Sequence, residues 1–109
     1  MKVAIVGSRN ASVEDFSGFL PRECTEIVSG GASGIDQCAA RYAKQHGLFL
    51  TEIFPQYERY GRAAPIVRNK SLVEYADSVI AFWDGVSRGT RSVIRYCEKI
   101  GKPCTVIYL

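Results

Sequence analysis

Three short stretches hold the residues best able to do chemistry: "GSRN" (Gly7 to Asn10), "SGGASGID" (Ser29 to Asp36) and "DGVSRGT" (Asp84 to Thr90). Each follows an apolar run, and the last two are glycine-rich and open directly into helical patterns. Glycine lets the backbone approach an anion closely, and the N–H groups of a helix's first turn add the positive end of its dipole. The spacing therefore points to phosphate. One cradle would use Ser29, Gly30, Gly31, Ala32, Ser33 and Gly34, the other Gly85, Ser87, Arg88, Gly89 and Thr90, with Gly7, Ser8 and Arg9 beside them. Neither loop is GxGxxG, and neither ends in GK[ST]. A glycine after a strand also simply permits a tight turn. It is the pairing of two such loops with Arg9 that favours an anion, since a turn has no need of arginine.

Other candidates surround these loops. Arg9, Arg59, Arg62, Arg68, Arg88 and Arg91 all lie on segments that follow strand ends, a bias that suits a phosphorylated ligand but also fits a solvated basic surface. Arg68 and Asn69 fall early in a helix that begins near Pro65, and the sequence leaves their direction open. Tyr57 and Tyr60 alternate with Arg59 and Arg62, as a base-stacking segment or a subunit interface would. Asp36 is placed to bond a ribose hydroxyl or its own turn, and Asp84 to bond the loop that follows it. No Ser-His-Asp or Cys-His set can be assembled with one histidine, and His46 suits a helix C-terminus. Cys24, Cys38, Cys97 and Cys104 form no CxxC pair and read as reduced core thiols, with no metal or cofactor implied.

These loops need a scaffold. At 109 residues and 47% apolar, the chain is expected to form one domain, residues 1–109. Its net charge of +3 is too small to argue for nucleic acid or a membrane surface. No segment approaches a leader or a membrane span, so a cytoplasmic location is expected. Five strands are predicted, at Lys2–Gly7, Glu26–Gly30, Leu48–Phe54, Ser78–Trp83 and Cys104–Leu109, with a helix in every connection, the first capped by Ser12. Several strands are apolar on both faces, as in a covered parallel sheet. The fold class is α/β: a doubly wound, Rossmann-like five-stranded parallel sheet with helices on both faces. The connection from strand three to strand four, Pro55 to Asp77, is the longest, which favours the order 3-2-1-4-5 and puts the crevice where strands one and four meet.

Taken together, "VGSRN", "IVSGGASGID", "GRAAPIVRN" and "AFWDGVSRGT" resemble the small SLOG-superfamily domains of the YspA/YpsA-like kind. These are relatives of the Lonely Guy phosphoribohydrolases and of the DprA/Smf DNA-processing proteins. The resemblance implies binding or sensing of a nucleotide or nucleotide-derived ligand, and homo-oligomers. It also implies ligand contacts from Gly7 to Arg9, from Ser29 to Gly34 with Asp36, from Arg68 and Asn69, and from Asp84 to Thr90. One position departs from the pattern. The Lonely Guy PGGxGTxxE motif ends in a catalytic glutamate, and aligning its GT with Gly89 and Thr90 puts Val93 there. Nucleoside 5′-monophosphate N-glycosidase activity is therefore the alternative, with Asp36 or Asp84 as its acid, and single-stranded DNA binding is the second alternative.

Overall fold

The computed structural model describes residues 1–109. In chain order, β1 is Lys2–Gly7, β2 is Glu26–Ser29, α1 is Ile35–Gln45 and β3 is Phe49–Glu52. A short helix α2, Tyr57–Tyr60, and a 3-10 turn, Gly61–Ala63, lead into α3, Ala64–Tyr75. β4, Ser78–Trp83, α4, Arg88–Ile100, and β5, Cys104–Tyr108, complete the chain. The strands form one parallel sheet in the order β3-β2-β1-β4-β5, the order expected from the long third connection.

The alternation of side chains along β1 divides the core. Val3 and Ile5 face α1, packing with Ile35, Cys38, Ala39, Tyr42 and Ala43. Ala4 and Val6 face the other way, against Leu72 and Val73 of α3 and Val93 and Cys97 of α4. Both faces are thus covered, and β1 and β4 hold residues from both clusters. The register Gly7↔Phe82 brings the carboxyl ends of β1 and β4 level, so the loops after them open at one place.

The expected helix between β1 and β2 does not form. Asp15 accepts a hydrogen bond from the Ser17 N–H at 2.8 Å, closing a local turn, and Gly18 and Pro21 break the run that a helix would need. A single turn remains, in which the Phe19 and Leu20 N–H groups bond to the Phe16 carbonyl at 2.9 and 3.1 Å. The segment is held instead by Phe16, fully buried edge-on against Tyr42 and Phe82 at 5.5 and 5.4 Å. Three strands also end sooner than expected: β2 stops at Ser29, β3 spans only Phe49–Glu52, and β5 ends at Tyr108. No helix is long and apolar enough to cross a membrane.

Candidate functional site

Beyond the carboxyl ends of β1, β2 and β4 lies a cavity of about 350 Å³. Its first wall is the loop after β1. Gly7 is required there, because a Cβ would stand 2.6 Å from Ile35 Cγ1 and 2.7 Å from the Phe82 carbonyl oxygen. Ser8 then ties three elements together. Its N–H donates to the Phe82 carbonyl at 3.1 Å, its carbonyl accepts the first N–H of α1 at 3.4 Å, and its Oγ accepts from the Asp84 N–H at 3.3 Å. Arg9 and Asn10 continue this wall.

The second wall comes from the loop between β2 and α1, where two N–H groups are committed within the protein. The Gly31 N–H donates to Ser29 Oγ at 3.3 Å, and the Ala32 N–H donates to Asp36 Oδ2 at 3.1 Å. Asp36 is only 6% exposed, and burial pushes its carboxyl above the usual range against the pull of the Ala32 N–H and of Arg68. Arg68, from the second turn of α3, donates through Nη1 to the Gly30 carbonyl at 2.6 Å and through Nε to Asn69 Oδ1 at 2.9 Å. A Cβ on Gly30 would stand 2.7 Å from Arg68 Nη1 and 3.0 Å from Asp36 Oδ2, so glycine is what admits both groups.

The third wall is the start of α4. Asp84 accepts from the Val86 and Ser87 N–H groups at 2.9 and 2.7 Å and from the Ser87 hydroxyl at 3.0 Å. Those bonds hold its carboxyl below the usual range, so it stays ionised and has no proton to give. The Ser87 carbonyl accepts from the Arg91 N–H and from Trp83 Nε1, both at 3.1 Å. The N–H groups of Arg88, Gly89 and Thr90 have no partner within the chain.

Burial marks the same place. The buried polar side chains of the chain are Ser8, Ser29, Asp36, Asn69 and Thr90; four of them line the cavity, and Ser29 donates to the carbonyl of Asp36 at 3.3 Å. No fully buried side-chain N or O lacks a partner. Thr90 Oγ1, Asn69 Nδ2 and Asp36 Oδ1, which make no bond to the chain, therefore keep surface open to the cavity.

Of the residues singled out in the sequence, the cavity brings together Gly7, Ser8, Arg9, Gly30, Ala32, Asp36, Arg68, Asn69, Asp84, Ser87, Arg88, Gly89 and Thr90. Ser29, Gly31, Ser33, Gly34 and Gly85 shape the loops without lining it, and Tyr57 and Tyr60 are exposed outside it. Gly34 has φ 74° and caps α1 without a side chain, and Gly31 has the same φ beneath the Phe54 ring. Sequence reasoning missed the apolar wall of Val6, Pro65 and Leu72. The available signal was helical spacing, since Pro65, Arg68, Asn69 and Leu72 share one face of α3. Val93, 2% exposed, completes that wall while packing in the core. His46 caps the C-terminal end of α1, stacked on Tyr42 at 4.0 Å, and no His, Cys, Asp and Glu cluster could hold a metal ion.

A Rossmann-like sheet with its site at the β1/β4 junction defines the class. Within that class, the DNA recombination-mediator protein A family matches residues 1–55, more than half of the chain, and the chain belongs to this family. The match carries β1 through β3 and two of the three cavity loops. The chain is also similar to the Gene 61 protein of Mycobacterium phage D29, with 37% identity over 83 residues. That alignment covers 71% of this chain and 66% of the phage protein, a little under two thirds of the latter's length. No solved structure matches.

Proposed function

We propose that this cavity binds the phosphate group of a nucleotide or nucleotide-derived ligand, and that the chain acts as a binding module. One observation carries the reading: the three unpartnered N–H groups of α4's first turn, with the Thr90 hydroxyl, in a cavity that Arg9 and Arg88 also line. Helix N–H groups and the dipole attract an anion, and two guanidinium groups balance a dianion. The volume lies at the lower end of small-molecule sites, adequate for one nucleotide-sized ligand. Apolar Val93 and bonded, ionised Asp84 leave Asp36 as the one carboxylate with an oxygen to spare, which favours holding over hydrolysis. Titration calorimetry with nucleoside monophosphates and inorganic phosphate tests the binding; no heat from any of them at millimolar concentration refutes it. Chromatography for free base after incubation tests the N-glycosidase alternative.

A second reading follows from the family, whose description names DNA recombination: the anion held at α4 is a phosphate of single-stranded DNA. Beyond the cavity, α4 carries Arg91, Arg95 and Lys99 at four-residue intervals, a row that could follow a backbone. Strand binding would weaken with salt, by about 0.7 in logarithmic slope for each phosphate neutralised, and the slope would fall when Arg95 and Lys99 are replaced. Sugar-phosphate binding would not respond to those two replacements. Phe54, Tyr57, Tyr60 and Ile66, exposed outside the cavity, suit a surface between copies of the chain, which sedimentation would detect.

A further inference from the structure

We propose that Cys97 and Cys104 form a peroxide-reactive dithiol, in which the Cys104 thiolate attacks the peroxide and Cys97 converts the product into an intramolecular disulfide. The pair lies outside the cavity. Both residues belong to one core face: Cys97, on α4, is fully buried, and Cys104, the first residue of β5, packs against the same cluster while staying partly exposed. The turn between them fixes their approach. Gly101, at φ 75°, reverses the chain, and the Gly101 and Lys102 N–H groups both bond to the Cys97 carbonyl, the latter at 2.9 Å. The Pro103 carbonyl then accepts the Val79 N–H at 2.9 Å, which seats Cys104 beside Val79 where the edge strand begins. Across this turn the Cys97 S–H donates to the Cys104 sulfur.

That bond sorts the roles. It holds the Cys104 thiol below its ordinary range, against burial and nearby Glu98, and it pushes Cys97 up, as burial also does, against the pull of Lys102. Cys104 is thus both the thiolate and the sulfur that solvent reaches, while Cys97 keeps its proton. The steps balance. The Cys104 thiolate takes one oxygen of hydrogen peroxide as the O–O bond breaks, hydroxide leaves, and a sulfenic acid forms. The Cys97 sulfur then attacks Cys104 Sγ, and its proton departs with the sulfenic hydroxyl as water. Two thiols are oxidised to one disulfide, and the peroxide is reduced. Cys24 and Cys38 share no such pairing: they pack on the opposite face of the sheet, where Cys24 donates its S–H to the Glu26 carbonyl at 3.6 Å and burial pushes its thiol up.

Intact mass and peptide mapping of the unmodified, fully reduced chain after equimolar hydrogen peroxide test this without any substitution. The expected result is the loss of two hydrogens in one disulfide that maps to Cys97 and Cys104, with Cys24 and Cys38 still reduced. In Cys97→Ser, dimedone should trap a sulfenic acid at Cys104. Cys104→Ser should consume peroxide at least about tenfold more slowly, because the thiol that remains at Cys97 is buried and protonated. Oxidation that maps first to Cys24 or Cys38 overturns the proposal, as does no oxidation at all. So does a Cys97–Cys104 disulfide that forms no faster in the folded chain than in urea, a comparison that needs neither variant to fold.

Discussion

Thr90→Val separates binding from folding more cleanly than any other change at the cavity. The side chain is 5% exposed, sits in the first turn of α4 and makes no hydrogen bond to the chain through its hydroxyl. Valine has nearly the same volume and shape, so replacement strands no partner within the protein. It exchanges an unbonded hydroxyl for a methyl beside Val93, and folding stability should stay within about 1 kcal/mol of the parent. A phosphate at α4 would accept a hydrogen bond from that hydroxyl. Bonds to charged groups contribute about 1.5–3 kcal/mol, so affinity for a nucleoside monophosphate or for ribose 5-phosphate should fall roughly 10- to 150-fold. Calorimetry gives the affinity, and urea unfolding of the same preparation gives the stability. Unchanged affinity with unchanged stability would refute the placement of the anion at α4. A loss of several kcal/mol in stability would refute the view that the hydroxyl has no internal role.

Arg68→Ala should behave differently, costing about 1–3 kcal/mol of stability as well as affinity, because it leaves the Gly30 carbonyl and the buried Asp36 carboxylate without their cationic neighbour; thermal unfolding would show it. Asp36→Asn should change how stability depends on pH. Burial raises the Asp36 pKa in the folded chain, so this group makes stability fall as pH rises from the ordinary aspartate range through the raised value. Removing it should make the variant gain relative to the parent as pH rises above the ordinary aspartate range, and urea midpoints that move in parallel would count against the raised pKa. Phe16→Ala should cost about 3–5 kcal/mol, the range for a fully buried aromatic, if the non-helical β1–β2 connection is anchored by that ring. A cost under about 1 kcal/mol in urea unfolding would show that it is not.

Much of this arrangement is written in local chemistry. β1 and β4 could be read to the residue because Val3 to Val6 and Val79 to Phe82 are apolar on both faces and bounded by Gly7 and Asp84. The long path from Pro55 to Asp77 implied the sheet order, since only a return across the sheet needs that length. The β1–β2 connection misled because Ser12 and Asp15 satisfy a capping pattern, yet Asp15 uses its carboxylate two residues on and Gly18 and Pro21 deny the helix a continuation. The short helix Tyr57–Tyr60 left no trace in the pattern, as none of its residues is buried. At the cavity, glycines announced the loops, but not which donors remain available. Gly31 and Ala32 look like cradle residues in the sequence; only the positions of Ser29 Oγ and Asp36 Oδ2 reveal that their N–H groups are committed.

For the phosphate proposed above, the Asp36 carboxylate bears on which end it would take. Two glycine-rich loops suggest two equivalent phosphate sites, but a phosphate brought beside Asp36 would meet a carboxylate. At about 4 Å and an effective dielectric of 20, two like charges repel by about 4 kcal/mol, and a dianion by more. Arg68 offsets part of this, although its Nη1 and Nε are already bonded to the Gly30 carbonyl and to Asn69. At α4 the same phosphate meets three uncommitted N–H groups, a hydroxyl and exposed Arg88, with no carboxylate oxygen free of partners, because Asp84 is bonded through both of its own. If the cavity holds a phosphate as proposed, that repulsion would favour the α4 end. On the proposed reading Asp36 would act twice, as the internal anion that closes the loop after β2 and as the group that directs a phosphate to the loop after β4.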